Sequence, residues 1–204
     1  MAKIPVPERA LQALAKQLEA EQSVISPHVS VDPGEAEPAL GLLAAAGPRA
    51  AEAPGEYSLV IESVREGYLL HYGEPRVVVG ADPDLALLAG DYLYALGLER
   101  LAALADLDAI RELSDLISLS AQLHDAEGGA WAANALWLGS VTAIATGGTP
   151  GHEQGKAALR EGDPDAWGAL WQAALGAAEQ AGLSGRLGRT AEAIGFQAQK
   201  DLPP

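Results

Sequence analysis

Cysteine is absent from the chain, which excludes disulfides, thiolate nucleophiles and thiolate metal sites together. Positive charge is scarce: 13 Lys and Arg against 28 Asp and Glu leave a formal charge of −15. A chain this acidic has no basic surface to offer a polyanion, so nucleic acid and anionic membrane surfaces are not expected as partners. β-branched alternation is almost missing. The one short run, Val77-Val78-Val79, is closed in by Pro75 and Gly80 and reads as a loop or extended connector. The longest apolar run, Leu85 to Leu98, is about 14 residues and contains Asp91, where a membrane span needs about 20 clean ones. Lys3, Pro5 and Pro7 followed by an amphipathic stretch do not form a signal-peptide pattern. The expectation is a cytoplasmic protein with no membrane span.

What is present is alanine, leucine and glycine at helical spacing, with 49% hydrophobic residues to build a core. Residues 7–22 predict a helix with Leu11, Leu14, Ala15 and Leu18 on one face, and 23–35 a proline-broken linker. A short helix follows over 36–46. A third opens at Pro54, with Tyr57, Val60, Ile61, Val64 and Tyr68 recurring on one side. Asp82-Pro83-Asp84 is a strong start signal, since aspartate caps free amides and proline suits the first helical position. The helix it opens, 83–104, is apolar nearly all round and predicts burial on most sides, within the fold or against a partner. Asp91 inside it reads as a buried polar group or a functional carboxylate. Further helices are predicted over about 106–128, 130–145, 150–161, 166–180 and 184–199. The fold class is all-α, a helical bundle.

Metal chemistry finds little support in spacing. His28, His71, His124 and His152 are scattered without an H-x-x-x-H pair. Glu62 and Glu66, at i and i+4, share a helix face. Such a pair either grips Mg²⁺ and a diphosphate or belongs to a wetted face beside Arg65. The tryptophans form two sequence pairs, Trp131 with Trp137 and Trp167 with Trp171, and are assigned to core packing, as is Phe196.

The order of these features resembles the trans-isoprenyl (polyprenyl) diphosphate synthase family. Glu62-Ser63-Val64-Arg65-Glu66 stands where that family carries D-D-x-x-D, and His71-Tyr72-Gly73-Glu74-Pro75 where it carries R-R-G-x-P. Leu88-Ala89-Gly90-Asp91-Tyr92-Leu93 then matches its Gly-Asp helix. Gly195-Phe196-Gln197 precedes a remnant of the second aspartate motif, with Lys200 at its first position, then Asp201, and Pro204 at its third. The resemblance spans roughly 55–204 and implies an isoprenoid-synthase-like antiparallel bundle over 36–204, preceded by an N-terminal helix and linker over 1–35.

Family catalysis, as the resemblance implies it, needs two aspartate clusters that hold Mg²⁺ around an allylic diphosphate. Here Glu62, Glu66 and Asp201 are vestiges of those clusters. Each lost charged contact removes about 1.5–3 kcal/mol. The expectation is therefore a chain without catalytic, substrate or metal residues of its own, needing no cofactor. It would be an accessory subunit of a heteromeric prenyl diphosphate synthase in isoprenoid biosynthesis. The resemblance places its interface on the 83–125 helices, with Leu85, Leu88, Tyr92, Ala95, Leu96, Leu113 and Ile117 facing a catalytic subunit or a second copy. Two alternatives stay open. One is a weak Mg²⁺-dependent synthase using Glu62, Glu66, Asp91 and Asp201. The other is a module that binds an isoprenoid or another apolar ligand.

Overall fold

The computed structural model describes residues 6–30, 36–124 and 129–197. Their regular structure is helical, and the chain is an all-α bundle, as expected. In order the helices are α1 (Ala10–Ala20), α2 (Ala39–Ala45), α3 (Pro54–Tyr72), α4 (Pro83–Ala103), α5 (Leu107–His124), α6 (Gly129–Thr146), α7 (Pro150–Arg160), α8 (Ala166–Gln180) and α9 (Ser184–Ala193). Short 3-10 turns open on Pro7, Ser26 and Pro48. The Val77–Val79 run is the extended connector its sequence predicts. It meets the 26–30 segment in one antiparallel bridge, where Ser30 N–H donates to the Val77 carbonyl and Val79 N–H to that of His28, both at 2.8 Å.

The start signals act as their chemistry requires. Asp82 accepts from Leu85 N–H at 3.0 Å and Thr149 from His152 N–H at 3.2 Å, each satisfying a free first-turn donor of α4 or α7. Asp163-Pro164-Asp165, a second copy of the Asp-Pro-Asp motif, works differently. Asp163 accepts from Asp165 N–H at 2.9 Å and forms a turn ahead of α8 rather than capping it. The last helix ends at Ala193, short of the predicted 199. Gly195 takes φ +75° and Phe196 N–H turns back to the Ala191 carbonyl at 2.8 Å, a left-handed stop that glycine adopts without steric cost.

α3 is the central helix, packed by α1, α2 and α4. Every residue from Tyr57 to Tyr68 is buried, including Glu62, Ser63, Arg65 and Glu66. The wetted face considered for the Glu62–Glu66 pair therefore does not exist. α3 and α4 approach closely because glycines face each other: a Cβ on Gly67 would sit 2.8 Å from the Gly90 carbonyl oxygen, and one on Gly97 2.4 Å from Val64 Cγ2. The main core joins α3, α5, α6, α8 and α9 around Trp137. In a second cluster Leu11, Leu14 and Leu18 of α1 cover Leu59, Leu93 and Leu96, so the N-terminal helix shares its core with the rest of the bundle.

The expectation of a buried Asp91 is corrected, and the chain itself covers only part of α4. Its outer face is open, with Leu87 50%, Leu88 65% and Tyr92 36% exposed. Asp91 is on that face rather than in the interior, its side chain 73% exposed and 3.3 Å from His71 Nε2. The cause is geometric. α1 and α3 cover the side of α4 that carries Ala89, Leu93 and Leu96, while the opposite side is met among the described residues only at its polar atoms, Asp91 by His71 and the Tyr92 hydroxyl, which donates to Glu21 at 2.7 Å.

Candidate functional site

Glu62 and Glu66 do share a face of α3, and the bundle fills that face with its own donors. Glu62 Oε1 accepts from Gly41 N–H of α2 at 2.7 Å, and Oε2 lies 2.8 Å from Arg76 Nη1. Glu66 Oε1 accepts three successive amides, Arg76 at 2.7 Å, Val77 at 2.6 Å and Val78 at 3.2 Å. Its Oε2 accepts from Arg76 Nε at 3.2 Å. Both carboxylates are fully buried. Burial by itself would lower the Arg76 pKa, but the charges of Glu62 and Glu66 carry it above the ordinary guanidinium value. The pair thus binds a protein cation and pins the α3–α4 connection. Its donors come from backbone and arginine, and the Arg76 guanidinium holds the place between the carboxylates that a cation would take.

Arg65, one residue before Glu66, is 8% exposed. Its guanidinium lies over the rings of Tyr68 at 4.7 Å and Trp137 at 5.0 Å. No described carboxylate forms an ion pair with it, and Nη1 has no hydrogen-bond partner. Burial pulls its pKa down to about 10, which leaves it protonated at neutral pH. Arg65 and Arg76 both line a cavity of about 320 Å³ between α2, α3 and the end of α9.

A second charged centre joins α5 to α7. Lys156 is 2% exposed, and its Nζ donates to Glu112 at 2.7 Å and Asp115 at 2.9 Å and lies 2.9 Å from Glu153. His152 Nε2 is 2.7 Å from Glu112 Oε1, and Arg160 reaches Asp115 at 2.7 Å. Burial alone would raise the Glu112 carboxyl, but hydrogen bonds from His152 and Lys156 hold it below the usual range. Glu112, His152 and Glu153 have the spacing of a metal triad. The Lys156 ammonium lies against both of those carboxylates and, being a cation, takes the charge-neutralising role an ion would have there. The cluster borders a cleft of about 550 Å³ whose walls carry Arg49, Arg111, Asp108 and Thr149.

Of these residues the sequence reading named only His152, as a scattered histidine, yet a signal existed. Acids at 112 and 115 on α5 face bases at 152, 156 and 160 on α7, spacings that place each set on one helix face. Of the residues assigned to an interface, Leu88, Tyr92 and Ala95 are exposed on α4, and Leu85 and Ile117 are half-buried. Leu96 and Leu113 are core residues, 6% and 0% exposed, because the side chains of α1 and α3 cover the first and the main core encloses the second. They offer no surface to a partner. Lys200 and Asp201 lie outside the described residues. The tryptophans are packing residues, in a different grouping. Trp131 meets Trp167 edge-on at 4.1 Å and Phe196 at 4.9 Å, and Trp137 packs on Tyr68.

Comparison with protein-family models, with curated proteins and with solved structures finds no match to this chain. Among the described residues no helix is long and apolar enough to cross a membrane.

Proposed function

We propose that the protein is a non-catalytic, prenyl diphosphate synthase-like bundle that serves as an accessory subunit of a heteromeric synthase in the cytoplasm. The observation that carries this reading is the occupation of Glu62 and Glu66 by Arg76 and by four backbone amides. For Mg²⁺ to take those oxygens, Arg76 and the amides would have to give them up. A buried guanidinium left without its carboxylates costs several kcal/mol. A weakly active enzyme built on these residues is disfavoured for the same reason.

The open face of α4 supports the subunit reading. Leu87, Leu88 and Tyr92 form an apolar patch, and the exposed acids Asp84, Asp91 and Glu99 lie around it. An apolar centre with a polar rim is the composition of a protein–protein interface. The partner the resemblance implies is a larger helical synthase subunit carrying two intact aspartate motifs. Affinity purification of the tagged chain from its native host is expected to recover such a subunit, and Leu88→Glu is expected to lose it. Recovery of the chain only as a homodimer, or a Leu88→Glu variant that retains the synthase, contradicts the proposal.

A further inference from the structure

The cavity beside Arg65 has a use that the subunit reading does not require. Three features of the cavity describe what it would accept. The first is charge. Glu62, Glu66, Arg65 and Arg76 cancel in pairs, but the pairing is uneven: both carboxylates lie against Arg76, while Arg65 is flanked by ring faces and feels Glu62 without an ion-pair contact. A buried guanidinium with no carboxylate in contact favours an added anion. The second is donors. Nη1 of Arg65 and Nη2 of Arg76 are both buried and both unpartnered, and both side chains line the cavity. The third is the remaining wall, where Leu40, Leu69, Ala39 and Ile194 present apolar surface.

We infer that this cavity binds a small aliphatic monocarboxylate, with its head group on the free guanidinium nitrogens of Arg65 and Arg76 and its chain along Leu40, Leu69 and Ile194. A single negative charge is the most the site tolerates. Glu62 and Glu66 are buried beside it, and Glu37 is exposed on the cavity wall, so a diphosphate would add several negative charges to a wall already rich in them. Size sets the chain length. A cavity of about 320 Å³ has the liquid volume of roughly ten waters, which suits a ligand of about ten heavy atoms such as octanoate. Arg65 is held in place from below by Tyr68 and Trp137, so the head-group donor is oriented before the ligand arrives and binding orders little.

The test is isothermal titration of the full chain with sodium octanoate, 1-octanol and inorganic pyrophosphate, with thermal unfolding in parallel. Octanoate is expected to bind saturably with Kd on the order of 0.1 mM. The uncharged octanol is expected to bind about tenfold or more weakly, since it forfeits the charge-assisted hydrogen bonds. Pyrophosphate is expected not to bind. Arg65→Gln should weaken octanoate about tenfold or more, because it removes one of the two free guanidinium donors and its charge. Ala193→Trp, at the exposed end of α9 on the cavity wall, should block octanoate with Arg65 intact; it also decides the matter if the Arg65 variant does not fold. No octanoate binding up to about 10 mM overturns the inference. So does octanoate binding unchanged in either variant, or pyrophosphate binding as tightly as octanoate.

Discussion

Replacing Glu66 with alanine is expected to destabilise the protein by about 3–5 kcal/mol, a large share of the roughly 5–15 kcal/mol that holds a folded domain together. The carboxylate is fully buried, and four groups lose their acceptor at once: the amides of Arg76, Val77 and Val78 and the Arg76 side chain. The amides of Val77 and Val78 cannot turn to water, because both residues are at 0% exposure under α1, while the Arg76 side chain keeps Glu62. The midpoint of thermal unfolding should fall by about 10 °C or more. Glu66→Gln keeps an acceptor oxygen but removes the charge opposite Arg76, and should fall between wild type and alanine. Because Glu66 and Arg76 share one interaction, the losses from Glu66→Ala and Arg76→Ala should not add in the double variant. Strictly additive losses would mean the two groups act separately.

The second large effect belongs to Lys156. Removing its ammonium with Lys156→Met takes a fixed cation away from Glu112, which is 7% exposed and then keeps only donors that need carry no charge, such as His152. A loss of about 3 kcal/mol at neutral pH is expected. The pH dependence has a definite sign. Glu112 and Asp115 titrate in the folded protein below their ordinary values of 4.5 and 3.8, so the unfolded chain binds more protons. Their stabilisation is present in full above those ordinary values and is lost as pH falls through the lower folded ones. Urea midpoints measured across the acid range should therefore drop steeply in wild type and more gently in Lys156→Met. Parallel curves would show that Lys156 does not set the charge state of those carboxylates.

How much of this was legible in the sequence depended on distance along the chain. Asp82 capping Leu85 and Thr149 capping His152 act over three residues, and the Asp82-Pro83-Asp84 motif predicted the first of these helix starts correctly. Gly195 carried an equally local stop signal, but continuing the helix through the Phe196-Gln197 match concealed it. Glu62 and Glu66 were singled out correctly as a pair on one face. Their partners were not visible, because Gly41 lies 21 residues away and Arg76 reaches back across the end of α3. The α5–α7 network spans more than 40 residues and needed both helices to be placed before its acids and bases faced each other. Asp91 misled for the opposite reason. Its apolar neighbours predicted a surrounded helix, and periodicity cannot say that a greasy helix lies at the edge of a bundle with one side uncovered.

The same uncovered side ties the fold to the proposed role, since α4 anchors inward through Ala89, Leu93 and Leu96 and leaves Leu87, Leu88 and Tyr92 outward. The central claim, however, is about α3: its carboxylates are internal fastenings of the bundle. Titration of Mg²⁺ together with a prenyl diphosphate into the purified chain, followed by product analysis, addresses that claim most directly. The account predicts no saturable heat and no condensed product. Stoichiometric Mg²⁺-dependent binding of the diphosphate, abolished by Glu62→Gln or accompanied by chain elongation, would contradict it.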